Sequence, residues 1–113
     1  MSDYMVQYKR NLKSMNKSCR GTPLPGEIWW VSMLDDIKDR PILVLGYSHG
    51  VVTFRKCTSQ FSTYYERDII EDYYDAGLDK ATYVDLDLRT IPRGSLVRKM
   101  GELSEYDRTK FCL

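Results

Sequence analysis

No apolar run in this 113-residue chain approaches the roughly 18 residues that a membrane-spanning helix needs. The N-terminus is too polar for the apolar core of a secretion signal, so export by that route is not expected. Cysteine is scarce: Cys19, Cys57 and Cys112 are an odd number with no Cys-x-x-Cys spacing. This argues against a disulfide framework and a zinc site, and fits reduced thiols in a cytoplasm. Internal repeats and low-complexity tracts are missing too. A net charge of only +1 removes any global attraction to nucleic acid.

What remains is one ordinary globular domain. With 42% hydrophobic and 29% charged residues the chain is not disordered as a whole, and its length allows a modest core. The charge is segregated. Residues 1–22 carry five Lys/Arg against one Asp, residues 61–88 carry eight acids against Arg67 and Lys80, and residues 89–113 carry six bases against three acids. A near-neutral total therefore has room for a local basic surface.

Gly26–Met33, Pro41–Tyr47 and Val51–Ser59 are predicted strands, rich in Ile, Val, Leu and Trp and separated by polar breaks. Ser48-His49-Gly50 is a tight turn between the second and third. Tyr4–Ser18 has the spacing of a short helix, and Gly21-Thr22-Pro23-Leu24-Pro25-Gly26 ends it. Further on, a strand is predicted within Tyr64–Tyr74, a turn at 76–80, and a strand over Thr82–Leu88. There Val84, Leu86 and Leu88 would face a core and Asp85 and Asp87 solvent. Ser95–Leu103 is another strand, and Ser104 caps a terminal helix from Glu105 toward Phe111. Five or six short strands with tight turns and one terminal helix predict a mainly β fold, a small and strongly curved barrel.

Gly26-Glu27-Ile28-x-Trp30-Val31, Arg40-Pro41-x-Leu43-Val44 and Thr58-Ser59-Gln60 together resemble the MazF/PemK family of toxins from toxin–antitoxin pairs. In the second half, Gly77-Leu78-Asp79-Lys80, Leu88-Arg89-Thr90-Ile91 and Gly101-x-Leu103-Ser104 extend the likeness over residues 25–113, leaving 1–24 as an N-terminal extension. The resemblance implies an SH3-like barrel related to CcdB-type toxins, a homodimer, and a metal-independent, cofactor-free endoribonuclease acting on single-stranded RNA in the cytoplasm. It also implies an antitoxin whose acidic, disordered tail occupies the RNA groove.

Cleavage of RNA through its own 2′-hydroxyl needs a base, an acid for the departing 5′-oxygen and a cation on the phosphate. Arg40 is the candidate cation, since a guanidinium forks across two phosphate oxygens, and the family uses this arginine. The resemblance makes Thr58 its catalytic partner, with Ser59 beside it. Many relatives carry Asp-Gln shortly before Arg-Thr; this chain has Leu86-Asp87 there, so either Asp87 supplies the carboxylate from a shifted position or that part of the mechanism is absent. Lys38, Gln60 and Arg89 are candidate RNA contacts, and the 35–39 loop would gate the groove. His49 is expected to be a plain turn residue, and Cys57 a core residue. Trp29 and Trp30, being adjacent in a strand, face opposite ways, one to the core and one to an interface or groove. The rival expectations are a gyrase inhibitor on the same barrel and a module that binds RNA or protein without cutting.

Overall fold

The computed structural model describes residues 21–32, 39–60 and 67–113. The helix predicted in the extension, Lys38 and most of the 35–39 loop lie outside the described residues. Seven strands form one antiparallel system: β1 (Glu27–Val31), β2 (Arg40–Ser48), β3 (Val51–Thr58), β4 (Arg67–Ile70), β5 (Thr82–Asp85), β6 (Arg89–Pro92) and β7 (Leu96–Glu102). A single 3₁₀ turn, Arg93–Ser95, joins β6 to β7, and the helix α1 (Glu105–Lys110) ends the chain. The order across the sheet is β4-β5-β3-β2-β1-β7, with β6 also on β3. The predicted mainly β class holds, with strand bounds within about two residues for β1, β2, β3 and β7.

The curvature comes from β3. One edge pairs with β2 from Ser48↔Val51 to Ile42↔Lys56. The other edge serves two strands in turn: Val51–Phe54 takes β6, and Cys57 and Thr58 take β5. The connection of residues 86–88 bridges those two registers, and this breaks the predicted strand over Thr82–Leu88. Val84 is fully buried, but Leu86 and Leu88 are 49% and 67% exposed, so the expected aliphatic row does not reach the core. Alternation along β4 is likewise cut short, because residues 71–77 turn back toward β7.

Apolar side chains pack on both faces of the central strands. Trp29, Val31, Ile42, Val44, Val52, Phe54 and Leu96 make one cluster. Ile28, Leu43, Cys57, Ile70, Val84 and Leu103, with Ala76 and Leu78, make the other. This two-sided burial explains why β1 and β2 read as near-continuous apolar runs rather than alternating ones. At the β2–β3 hairpin, His49 and Gly50 both have positive φ, 50° and 79°, as a two-residue type I′ turn requires. His49 is thus an exposed turn residue, as its sequence context suggested.

The helix acts as a clasp. Ser104 accepts from the Asp107 N–H, the expected cap, but the Asp107 carboxylate does not reach back as in a capping box. It is fully buried and accepts from the Glu71 and Asp72 N–H groups at 3.0 and 2.8 Å, while Ser104 Oγ donates to Asp72 Oδ2 at 2.6 Å. The same turn then meets β7 backbone to backbone. A Cβ on Gly77 would lie 2.2 Å from the Met100 carbonyl oxygen, and one on Gly101 would lie 2.4 Å from that of Ala76.

Gly77 also has φ +85°, so Gly77→Ala combines a left-handed alanine with a backbone clash. It should destabilise the fold by about 2 kcal/mol or more. Gly94 has open space around its missing Cβ and no positive φ, so Gly94→Ala should shift stability by no more than about 0.5 kcal/mol. Equal urea midpoints for the two variants would refute the backbone seam.

Candidate functional site

Adjacent antiparallel strands bring the start of β2 and the end of β3 to the same end of the sheet. The last pair between them is Ile42↔Lys56; two residues further in that register Arg40 and Thr58 stand opposite each other. Both belong by alternation to the face of Ile42 and Val44. Arg40 also pairs with Val31 on β1, which fixes its backbone in the rigid middle of the sheet.

Beside this pair lies a cleft of about 550 Å³. Across its floor, Pro41, Trp30 and Arg98 are consecutive partners on β2, β1 and β7. Thr58 and Ser59 line it from β3, and Gly77, Leu78, Asp79, Lys80, Thr82 and Met100 also border it. Trp29 is fully buried while Trp30 is half-buried in the cleft, so the two adjacent tryptophans divide between core and groove. The Arg98 guanidinium lies 5.9 Å from the Trp30 ring, within reach of the cation–π attraction. The border at 79–80 is set by the Gly77 seam and by Thr82 Oγ1, which donates to the Lys80 carbonyl at 2.8 Å.

Thr58 Oγ1 accepts from the Gln60 N–H at 3.1 Å. That local bond turns the chain out of β3 and takes up one lone pair of the hydroxyl, leaving its proton to point elsewhere. Gln60 is exposed, and its carbonyl accepts from Arg67 Nη1 at 2.9 Å. Arg40 is not among the residues that line the cleft: Pro41 is, and by alternation the Arg40 side chain belongs to the other face of β2, with its Nε buried.

The remaining candidates lie apart. Asp87 is in the exposed connection 86–88, between the Cys57↔Val84 and Phe54↔Arg89 pairings. Arg89 sits opposite Phe54, four residues along β3 from Thr58, which is roughly 13 Å at the rise of a strand. Its guanidinium lies 6.0 Å from the Phe54 ring. Neither lines the cleft. The residues that sequence reasoning missed are Asp79, Lys80 and Arg98. Asp79 and Lys80 were read as a turn and as part of the family likeness, without a place in the site, and Arg98 became visible through its register with Trp30. Among the described residues no cluster of three or more His, Cys, Asp or Glu could hold a metal ion.

No family model matches the chain, and no curated protein matches it. Among solved structures, an endoribonuclease in complex with its cognate antitoxin, from a mycobacterial species, shares the fold. The TM-score is 0.59 at 15% identity, over 81% of this chain and 87% of that one.

Cys57 precedes Thr58 but offers no nucleophile: it is buried, and burial pushes its thiol up from 9.0 to about 12. A thiol whose folded pKa is raised keeps its proton longer in the native state than in the unfolded one. Its contribution to stability is therefore complete below pH 9 and is lost as pH rises toward 12. Alkylation of the native protein at pH 8, followed by peptide mapping, should modify exposed Cys112 and spare Cys57. Equal labelling of both would show that the Cys57 side of the core opens readily.

Proposed function

We propose that this chain is a metal-independent endoribonuclease toxin, cutting single-stranded RNA at the end of β2 and β3. One observation carries the reading. Thr58 and Ser59 share a cleft with Lys80 and Arg98, and Arg40 stands opposite Thr58 in the register of β2 and β3. Among the described residues the cleft holds two cations, Lys80 and Arg98, against the carboxylate of Asp79, and so can take an anion in a nearly neutral protein. The half-buried Trp30 face beside Arg98 suits an unstacked base, as single-stranded RNA presents. The neighbouring fold, which belongs to an endoribonuclease, supports the reading at the level of architecture.

In this reading the 2′-oxygen attacks the adjacent phosphorus and the bond from phosphorus to the 5′-oxygen breaks. The products are a 2′,3′-cyclic phosphate and a 5′-hydroxyl end. Arg40 steadies the charge on the phosphoryl oxygens, and the Thr58 hydroxyl donates to one of them, with Ser59 next to it. The proton of the 2′-hydroxyl needs a carboxylate within the cleft. Asp79 fills that role better than Asp87, because it lines the cleft and Asp87 does not. The Lys80 ammonium is the donor for the departing 5′-oxygen. Gln60 extends from the end of β3 toward neighbouring bases, and Lys38 and Arg89 are outlying contacts for the RNA backbone.

The protein works in the cytoplasm as a homodimer, with an antitoxin as its inhibitory partner. The neighbour's complex with its cognate antitoxin supports that pairing. An acidic tail would be drawn to the same cations as RNA, so inhibition and substrate binding would compete for one surface.

The test is incubation of the purified protein with a long single-stranded RNA in EDTA, followed by mapping of the ends. Cleavage leaving 5′-hydroxyl ends is expected. Arg40→Ala should lower turnover by roughly 10²-fold or more, as for lost oxyanion donors. Asp79→Asn should cost roughly 10²-fold as well, and more than Asp87→Asn. The reverse order of those two would return the proton-transfer role to Asp87. No cleavage by the unmodified protein would leave a barrel that binds without cutting.

A further inference from the structure

Gln60 and Arg67 are seven residues apart, yet a charged bond joins them where the third strand leaves the sheet. Arg67 opens β4 with a mostly buried side chain. Its Nη1 donates to the Gln60 carbonyl at 2.9 Å, and its Nε donates to Asp85 Oδ1 at 2.7 Å. Asp85 is itself anchored, since its carbonyl accepts from Arg55 Nε at 2.6 Å. Arg55 is tied in turn to Asp68 at 2.7 Å and lies 5.4 Å from the Phe111 ring. The chain of contacts therefore runs from the core through Arg55, Asp85 and Arg67 to the peptide of Gln60. From there the Gln60 N–H reaches Thr58 Oγ1.

We propose that Arg67 is a positioning residue for the reaction, a guanidinium clamp on the Gln60 carbonyl that restrains the Gln60 backbone so that the N–H of the same residue orients the Thr58 hydroxyl toward the scissile phosphate. The inference rests on the ribonuclease reading and adds to it a residue that does not line the cleft. The physical reason is the geometry of one hydroxyl. Thr58 Oγ1 can rotate its proton freely unless an acceptor lone pair is occupied, and here the Gln60 N–H occupies one. Gln60 is exposed and follows the last residue of β3 by two, so no ladder bond fixes its peptide. The fork of Arg67 supplies that restraint, with one arm on Asp85 and the other on the Gln60 carbonyl. A lysine has the charge but not the fork.

Turnover and affinity would respond differently. Arg67→Ala should lower kcat about 10-fold or more while KM stays within about twofold, because the lost interaction matters only as the phosphate reacts. Arg67→Lys should not restore kcat. Thr58→Ala should cost much less in the Arg67→Ala background than in the unmodified protein, since the two residues act as one unit. Hydrogen exchange at the Gln60 amide, read by NMR on RNA-free protein, should speed up in Arg67→Ala. Should that variant fail to fold, Asp85→Asn carries the same test, because it weakens the anchor of the clamp while keeping its shape.

The outcomes separate. An unmodified protein that cuts RNA, with kcat unchanged in Arg67→Ala or fully restored by Arg67→Lys, overturns the clamp and leaves the ribonuclease reading standing. Strict additivity of Arg67→Ala and Thr58→Ala also overturns it. An unmodified protein that cuts no RNA removes the ribonuclease reading, and the positioning role goes with it.

Discussion

Between Gly77 and the Met100–Gly101 peptide there is no room for a side chain on either segment, and much of the molecule is arranged around that close approach. The turn at 71–77 lies directly on the backbone of β7. Asp107 holds its far side through two peptide N–H groups, so the turn is gripped between the last strand and the last helix. Leu78 is thereby buried in the core while Asp79 and Lys80 are delivered to the cleft. A loop carrying two charged residues would ordinarily wander. This one is fixed by the Gly77 seam, by Asp107 and by the Thr82 hydroxyl on the Lys80 carbonyl.

The charge pattern takes a different meaning once the chain is folded. Among the described residues of the acidic stretch, several carboxylates are taken up by partners within the fold. Asp68 is tied to Arg55, Asp85 to Arg67 and Glu71 to Lys110, while Asp72 accepts the Ser104 hydroxyl. These acids face partners along the seams between elements. What remains at the cleft, among the described residues, is Asp79 beside Lys80 and Arg98. Surface pairs of this kind add little stability singly. Their larger effect is to decide which charges stay available to a ligand.

Much of the fold was legible from β1 to β3 because burial on both faces leaves long apolar runs, and the Ser-His-Gly turn separates them cleanly. The terminal helix was legible from Ser104. Thr82–Leu88 misled because its alternation is real in sequence but is cut by the change of partner along β3, a constraint that only the tertiary pairing reveals. β6 was missed for the same reason: Arg89-Thr90-Ile91-Pro92 has no pattern of its own and becomes a strand by pairing with β3. Arg40, Thr58 and Ser59 were named from the family likeness and from their place at strand ends, and of these Thr58 and Ser59 line the cleft. Asp79 and Lys80 could not be placed there, because a turn sequence does not say what it lies against. Trp30 fell between these cases, since its outward direction followed from the period of two but its neighbours did not.

β1 and β7 are paired across a wide span of chain, Glu27 with Glu102, so the floor of the cleft joins residues near opposite ends of the domain. Contacts so distant in sequence carry a heavy loop-closure cost and form slowly, whereas the β1-β2-β3 meander can assemble locally. Trp30 and Pro41 are in register as soon as that meander exists, but Arg98 joins them only with β7. A chain still being made would hold a strand scaffold without a finished binding floor. Whatever the cleft does can begin only once β7 has been made and has docked on β1, and the order of assembly itself delays it.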